Sequence, residues 1–373
     1  MPATSKHKFV FVGDIVCEKA PQFSPSLKEL FNSADLKSCN FEAPLQGLGQ
    51  PIHKTGPLVA QNKNAPNWLQ NLGFNCFSLA NNHIYDFGED ALLKTMEQFP
   101  RKEILGVGSE EEAYGLKTWT FDEVKYGFLA YGENGYGALN GDRLVGHAWV
   151  NAKRVNADIQ QYKKQVDVLI VQIHAGVELL DVPIPEWKDR YKELIDLGVD
   201  VIIAHHPHVV QGIEEYNGKL IAYSLGNFYF EYPANHPQWN VGGVLELEFE
   251  NKKLSKHFLH IVEKKKQLVE LKDEKLSANF VKPLSAKLGN EEYLEYVNRK
   301  ALEEWKKHHA SYYAKPFNGI AGYSVFKLLK HAKRTLFNRR INYNLIWHNL
   351  FIESNKWLVE RAIRLKTFGK KPN

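Results

Sequence analysis

The chain has 373 residues, beyond the size at which one hydrophobic core stops growing, so a large domain with an appendage is expected. Apolar residues at 44% and charged residues at 24% exclude an intrinsically disordered chain, and no apolar run reaches the roughly 18 residues that a spanning helix needs. The net charge of +5 hides an asymmetry: residues 251–373 hold 27 Lys+Arg against 11 Asp+Glu, while the residues before them hold 21 against 32, so the two parts are expected to meet different partners.

The first apolar run of strand length is Lys8 to Gly13. Its apolar centre, Phe9 to Val12, is cut off by Gly13 and Asp14 and is too short for a signal-peptide h-region. Leu36 to Phe41 forms a second strand, and period-two geometry puts Asn40 and Glu42 on one face at its end. Pro66 to Leu72, closed by Gly73, reads as a helix. A third strand, Phe74 to Ala80, runs into Asn81-Asn82-His83. Glu89 to Phe99 places Leu92, Met96 and Phe99 on one helical face. The Gly106 to Gly108 pattern is too short to imply a nucleotide site. Leu116 to Tyr131 alternates as a hairpin around an Asp-Glu turn. Val166 to His174 and Val199 to His205 are the fourth and fifth strands, separated by a helix from Pro185 to Leu197 whose apolar stripe is Trp187, Tyr191, Leu194 and Ile195. Leu220 to Phe230 and Val241 to Phe249 add two more strands.

This alternation of strands, helices and hairpins predicts an α/β fold of two packed mixed sheets flanked by helices, over residues 7–265. After about Lys266 the strand patterns stop, and residues 266–373 read as a basic, mostly helical region. There Tyr323 to Arg339 and Ile341 to Leu365 are amphipathic, the second through Leu345, Leu350, Trp357 and Ile363. Cys17, Cys39 and Cys76 stand apart with no CxxC pairing, which favours a reducing compartment and a cytoplasmic location.

Five strand ends carry groups able to hold a metal: Asp14; Asn40 and Glu42; Asn81, Asn82 and His83; His174 and Glu178; and His205, His206 and His208. Taken singly, most have plainer readings. Asp14 could be a turn residue or a helix cap, Asn81-Asn82-His83 a polar loop, and His174 a hydrogen-bonded core histidine. The His-His-Pro-His cluster is harder to explain by packing, because Pro207 stiffens a loop that aims His206 and His208 at one centre. Imidazole, carboxylate and amide oxygen together suit one or two divalent ions of Mn, Fe, Zn or Mg rather than a thiolate-bound structural zinc. Two metals about 3.5–4 Å apart would need ligands from several segments, as this chain offers.

The strings VGDI, NFEAPL, SLANNHIYDFGEDALL, IHAGVE, AHHPHVVQ and YSLGNF occur in this order between residues 8 and 235. They resemble the CapA family, named for poly-γ-glutamate capsule biosynthesis. The resemblance implies a calcineurin-like metallophosphatase fold, a four-layer αββα sandwich. Carried over by motif, Asp14 and Glu42 would be carboxylate ligands, one of them bridging two ions. Asn82, His174, His206 and His208 would complete the site beside Asn40, and His83 would protonate the leaving group, with Asn81 among the catalytic residues. The histidine expected two residues after Asp14 is Val16 here, which leaves open a site for a single ion.

The expected activity is therefore metal-dependent hydrolysis by a metal-activated water, on a capsule or exopolymer intermediate. The alternative is a non-catalytic capsule-assembly component that keeps the fold. Nothing in the sequence separates a phosphoester from a γ-glutamyl amide substrate. Glu178 is expected to orient an imidazole, and Lys54, Asn227 and His205 to line the place of an anionic small-molecule or polymer substrate. In residues 311–373, 13 Lys+Arg against two Asp+Glu, interleaved with Trp347, Phe351, Trp357 and Phe368, predict peripheral contact with the inner face of a membrane. A helical cap is the plainer reading, and specific nucleic acid binding is not expected.

Overall fold

The computed structural model describes residues 5–315, 324–337 and 342–369, which form two compact units. The first comprises residues 1–52 and 58–290, and the second residues 53–57 and 291–373.

In the first unit the elements follow one another as β1 (Lys6–Val16), α1 (Pro25–Asn32), β2 (Leu36–Phe41), α2 (Ala65–Asn71), β3 (Cys76–Ser78), α3 (Gly88–Met96), β4 (Lys117–Phe121), β5 (Val124–Gly132), α4 (Val155–Lys163) and β6 (Val168–His174). The chain continues through α5 (Pro185–Asp196), β7 (Val201–His205), β8 (Lys219–Ala222), β9 (Asn227–Phe230), β10 (Val241–Glu250), β11 (Lys253–Lys265), β12 (Leu268–Leu271) and α6 (Glu274–Leu288). The expected hairpin is β4 and β5, paired from Lys117↔Phe128 to Phe121↔Val124. Its turn residues Asp122 and Glu123 both have positive φ, 43° and 68°, the twist that two-residue hairpin loops require. Helix α5 begins at Pro185 and buries Trp187, Tyr191, Leu194 and Ile195, the stripe that the sequence marks.

Val107–Ser109 pairs with Val145–His147 in a small two-stranded sheet, and the other strands make two mixed sheets. One holds nine strands in the order Gln22–Phe23, β12, β11, β10, β1, β2, β3 and Ile104–Leu105, with β9 also pairing β1. The other holds six in the order Ile213–Tyr216, β8, β7, β6, β5 and β4. Between them lies a core of Phe9, Phe11, Leu245, Leu247 and Phe249 from the first sheet and Tyr126, Phe128, Ile170 and Ile203 from the second. A second core, including Leu27, Phe31, Leu69, Leu92 and Met96, packs α1, α2 and α3 onto the far face of the first sheet. Helices α4 and α5 contact β6 and β7. The result is the four-layer αββα sandwich, and covering both faces of β6 explains why Val168–His174 is buried throughout.

Three expectations change. Leu220 to Phe230 is two strands, β8 in one sheet and β9 in the other, because the chain crosses between sheets at Ser224–Gly226. That crossing brings the Gly226 carbonyl so close to Gly13 that a Cβ there would stand 1.9 Å from it, so only glycine fits. Strand patterns also continue past Lys266: β12 pairs antiparallel with β11, and the first unit extends through α6 to Asn290. Val269 on β12 and Val281 and Leu284 on α6 are buried in its cores.

The second unit is helical, with α7 (Tyr293–Glu304), α8 (Val325–Phe337), α9 (Tyr343–Phe351) and α10 (Glu353–Phe368). The helix expected from Ile341 to Leu365 is thus interrupted at Ile352, whose ψ of 112° is extended. Residues 323 and 338–341 of the expected helices lie outside the described residues. Val297, Ala301, Leu358, Val359 and Ala362 are buried between α7 and α10, where Arg361 Nη1 donates to Asn298 Oδ1 at 3.0 Å. Among the described residues, no helix is long and apolar enough to cross a membrane.

Candidate metal centre

Ligand sites in α/β sheets form beyond the carboxyl ends of parallel strands, and the polar residues gather at such ends. β1 runs parallel to β2 and β9, with Asp14 level with Asn40 on one side and Asn227 on the other. In the second sheet, parallel β6 and β7 put His174 level with His205, and β5 puts Gly132 beside His174. The loop after β7 then turns back on itself, with φ of 96° at His206 and 58° at His208. Left-handed conformations at non-glycine residues cost on the order of 1–3 kcal/mol each and persist where surroundings enforce them, as at functional sites.

Asp14 and Glu42 are 0% exposed. Asn40 Nδ2 donates to Asp14 Oδ1 at 2.8 Å and to Glu42 Oε2 at 3.3 Å. His208 Nδ1 lies 3.3 Å from Asp14 Oδ2, and its Nε2 lies 3.8 Å from Glu42 Oε1. His174 Nε2 is 3.0 Å from Asn82 Oδ1, 3.0 Å from His206 Nδ1 and 3.8 Å from Glu42 Oε1. Ligand atoms of Asp14, Glu42 and His174 all lie within 4.8 Å of one another.

Electrostatics make this cluster a place for a cation. Burial pushes Glu42 well above the usual carboxylate range, and the charge of Asp14 adds to it. Burial would raise Asp14 too, but the hydrogen bond and charge of His208, with His205 and Asn40, outweigh it and leave Asp14 lowered. His174 is pushed well down by burial and by the neighbouring imidazoles. His206 is lowered to about 4 by burial, against Glu178 and Asp14. For His208 burial also opposes the charge, yet Glu42 and Asp14 prevail and raise it to about 10. Glu42 Oε1 has no hydrogen-bond partner, and a buried carboxylate oxygen without one is costly unless a cation satisfies it. Two carboxylates, the lowered imidazoles of His174 and His206 and an amide oxygen fit a divalent ion, which would displace the proton that Asp14 and Glu42 hold on His208.

The family described as "Bacterial capsule synthesis protein PGA_cap" matches residues 8–232, a span that contains every one of these residues. The chain belongs to this family. It is 28% identical over 251 residues to the "PGA biosynthesis protein CapA" of Bacillus subtilis (strain 168), covering 59% of this chain and 62% of that protein. It is 28% identical over 231 residues to the "Capsule biosynthesis protein CapA" of Bacillus anthracis, covering 56% and 52%. The chain thus spans less than two thirds of these relatives. Among solved structures it is similar to a putative 5'-nucleotidase from Staphylococcus aureus, with a TM-score of 0.45 and 14% identity over 76% of this chain and 59% of that one. It is also similar to the purple acid phosphatase PPD1 of yellow lupin, with a TM-score of 0.36 and 11% identity over 73% and 55%.

In this PGA_cap chain the structure brings together Asp14, Glu42, Asn82, His174, His206 and His208, and gives several other residues different parts. Asn40 turns its amide nitrogen, a donor, toward Asp14 and Glu42, so it braces the carboxylates rather than offering a ligand oxygen. Asn81 is spent on the loop: its Nδ2 donates to Phe41 O at 2.9 Å, and its Oδ1 accepts from the His83 and Ile84 amides. Asn227 Oδ1 stands 2.9 Å from His208 Nδ1 and orients that ring. His205 is 0% exposed with neither ring nitrogen hydrogen-bonded, 3.7 Å behind Asp14, so substrate cannot reach it. Lys54 belongs to the second unit. Glu178 is exposed and raises His206 and His208 through its charge.

His83 is 8% exposed, with Nδ1 2.7 Å from Asp86 Oδ2. Its charge is felt by both His174 and His206. Asp86 also accepts from the Val59 amide at 2.8 Å, so the carboxylate is fixed before it fixes the ring. Sequence reading missed Asp86, three residues after His83 in the same motif. It also missed Glu133, 3% exposed, whose Oε1 lies 3.9 Å from His206 Nε2. The available signal for Glu133 was its place directly after β5.

Proposed function

We propose that this PGA_cap chain is a metal-dependent hydrolase acting on an anionic intermediate of capsule or exopolymer synthesis. The observation that carries this reading is Glu42, wholly buried with an unpartnered oxygen facing His174 and His208. Asp14, Glu42, Asn82, His174, His206 and His208 would hold the ion. When bound, a divalent ion supplies Lewis acidity and lowers the pKa of a water.

The chain's own residues do the rest. Asn40 keeps both carboxylates aimed inward, and Asn227 sets the His208 ring. Asp86 Oδ2 lies 2.7 Å from His83 Nδ1 and would orient the ring so that Nε2 gives a proton to the leaving group. With Val16 where a further ligand would stand, one ion is the expected load. Dialysed protein should take up about one equivalent of Mn or Zn by elemental analysis and turn over either a phosphodiester or a γ-glutamyl peptide, and His206→Ala should lose both. An ion bound without turnover of either substrate class would favour the non-catalytic assembly role.

We further propose that α8 lies on an anionic membrane surface. Val325, Phe326, Leu328 and Leu329 are 45–83% exposed, and residues 324–340 contain Lys327, Lys330, Lys333, Arg334, Arg339 and Arg340 with no acidic residue. Basic amphipathic helices of this kind bury their apolar stripe at the headgroup boundary. The protein should sediment with phosphatidylserine vesicles but not with phosphatidylcholine vesicles, and Phe326→Asp with Leu329→Asp should abolish it. Equal sedimentation of the double variant would end this reading.

A further inference from the structure

Beside the candidate metal centre the first unit has an open depression of about 610 Å³ whose wall includes Phe230, Glu231, Tyr232, Trp239, Asn240 and Lys264. Two of these residues also touch the centre: the Phe230 ring is 4.9 Å and the Trp239 ring 5.0 Å from the His208 ring. The wall is fixed in place. Trp239 Nε1 donates to Tyr232 O at 2.8 Å, and Asn227 Nδ2 donates to Trp239 O at 3.0 Å while its Oδ1 faces His208. One amide thus sets both a putting-in-place of the His208 ring and the aromatic partition next to it.

The charges lining this depression are unequal in availability. Glu231 Oε2 already accepts from the Glu18 and Lys19 amides at 2.8 and 2.7 Å, which satisfies that oxygen with two N–H donors. Lys264 is anchored by its backbone amide to Asn240 O at 2.8 Å, and its ammonium rests 5.4 Å from the centre of the Tyr229 ring. The nearby acids are engaged by other lysines: Glu263 by Lys265 and Lys272, and Glu270 by Lys265. Lys264 therefore makes no ion pair among the described residues. The ammonium of a half-buried lysine without a carboxylate partner, next to an aromatic wall, is a receptor for an anionic group carried on a partly apolar chain.

The geometry points to this depression as a specificity subsite in which Lys264 receives a carboxylate of the substrate while the adjoining chain lies along Trp239. This rests on the reading of an anionic substrate above and deepens it by naming the charged group and its receptor. A carboxylate fits better than a free phosphate, because a single ammonium offers few donors for an anion of higher charge.

Titration calorimetry on the metal-loaded full chain tests it, with tri-γ-glutamate as probe and, as its counterpart, the same γ-linked peptide with every α-carboxylate converted to a carboxamide (γ-linked isoglutamine). The wild type should bind the acid about tenfold more tightly than the amide, the worth of one hydrogen bond to a charged group. Lys264→Gln should erase that preference and Lys264→Arg should restore it. Equal binding of the two probes by the wild type, or a preference that survives in Lys264→Gln, would overturn the subsite. Turnover is a separate readout: a preference without hydrolysis of any substrate removes the hydrolase and keeps the subsite, and hydrolysis without a preference does the reverse.

Discussion

At the scale of single residues, the proposed hydrolysis would draw its proton from His83, whose Nδ1 lies 2.7 Å from Asp86 Oδ2. A proton donor matters most when the leaving group is a poor one. His83→Ala should slow an alkyl phosphodiester by about 10²–10⁴-fold while sparing a p-nitrophenyl ester, whose leaving group needs no proton. Steady-state rates on the two substrates check this, and equal losses on both would show that His83 acts by some other means. Legibility at this scale followed local chemistry. The convergence of His206 and His208 was readable because three imidazoles around a proline have no packing use, and that of Asp14, Glu42 and His174 because each stands within two residues of the end of an apolar strand. Glu133 was not, since a single acid after Gly132 looks like any loop residue until β5 is laid beside β6. The roles of Asn40, Asn81 and Asn227 were not legible either, because an amide offers a donor and an acceptor and only the neighbours decide which one faces the cluster.

Single elements carry their own tests. Glu123 holds a φ of 68° in the β4–β5 turn, a conformation that costs a side chain about 1–2 kcal/mol and glycine almost nothing. Glu123→Gly should therefore stabilise the protein by about 0.5–1 kcal/mol after the added flexibility of the unfolded chain, measured as a higher denaturant midpoint. On the β10–β11 pair, Glu246 is lowered to about 2 by the hydrogen bond from His260 and by Lys8, against burial. A carboxylate depressed in the fold contributes stability above its unfolded value near 4.5 and loses it as pH falls toward 2. Glu246→Gln should thus be less stable than the wild type at pH 6, with the gap closing between pH 4.5 and 2 in urea titrations. The β4–β5 hairpin was readable because alternation and turn residues are local signals. The break between β8 and β9 was not, because an apolar run has the same appearance whether it stays in one sheet or crosses to another.

On the scale of the molecule, the end of the first unit matters most. The change to Lys-rich helical texture suggests a boundary near residue 265, yet β12 and α6 bury Val269, Val281, Leu284 and Leu288. Each such side chain contributes about 1.5–3 kcal/mol, so together they rival the roughly 5–15 kcal/mol that holds a domain folded. A chain ending at Asn290 should melt cooperatively, and one ending at Lys265 should show no thermal transition by circular dichroism. Composition pointed the wrong way because α6 is amphipathic: Lys275 and Lys282 face water while its Ser277 Oγ accepts from the Ile261 amide. The crossing at Ser224–Gly226 has a last consequence. Since Asp14 and Glu42 come from one sheet and His174, His206 and His208 follow strands of the other, an ion held there would join the two sheets beside the point where the chain itself passes between them. Binding the native arrangement and not the unfolded chain, such an ion would raise the unfolding midpoint as its free concentration rises.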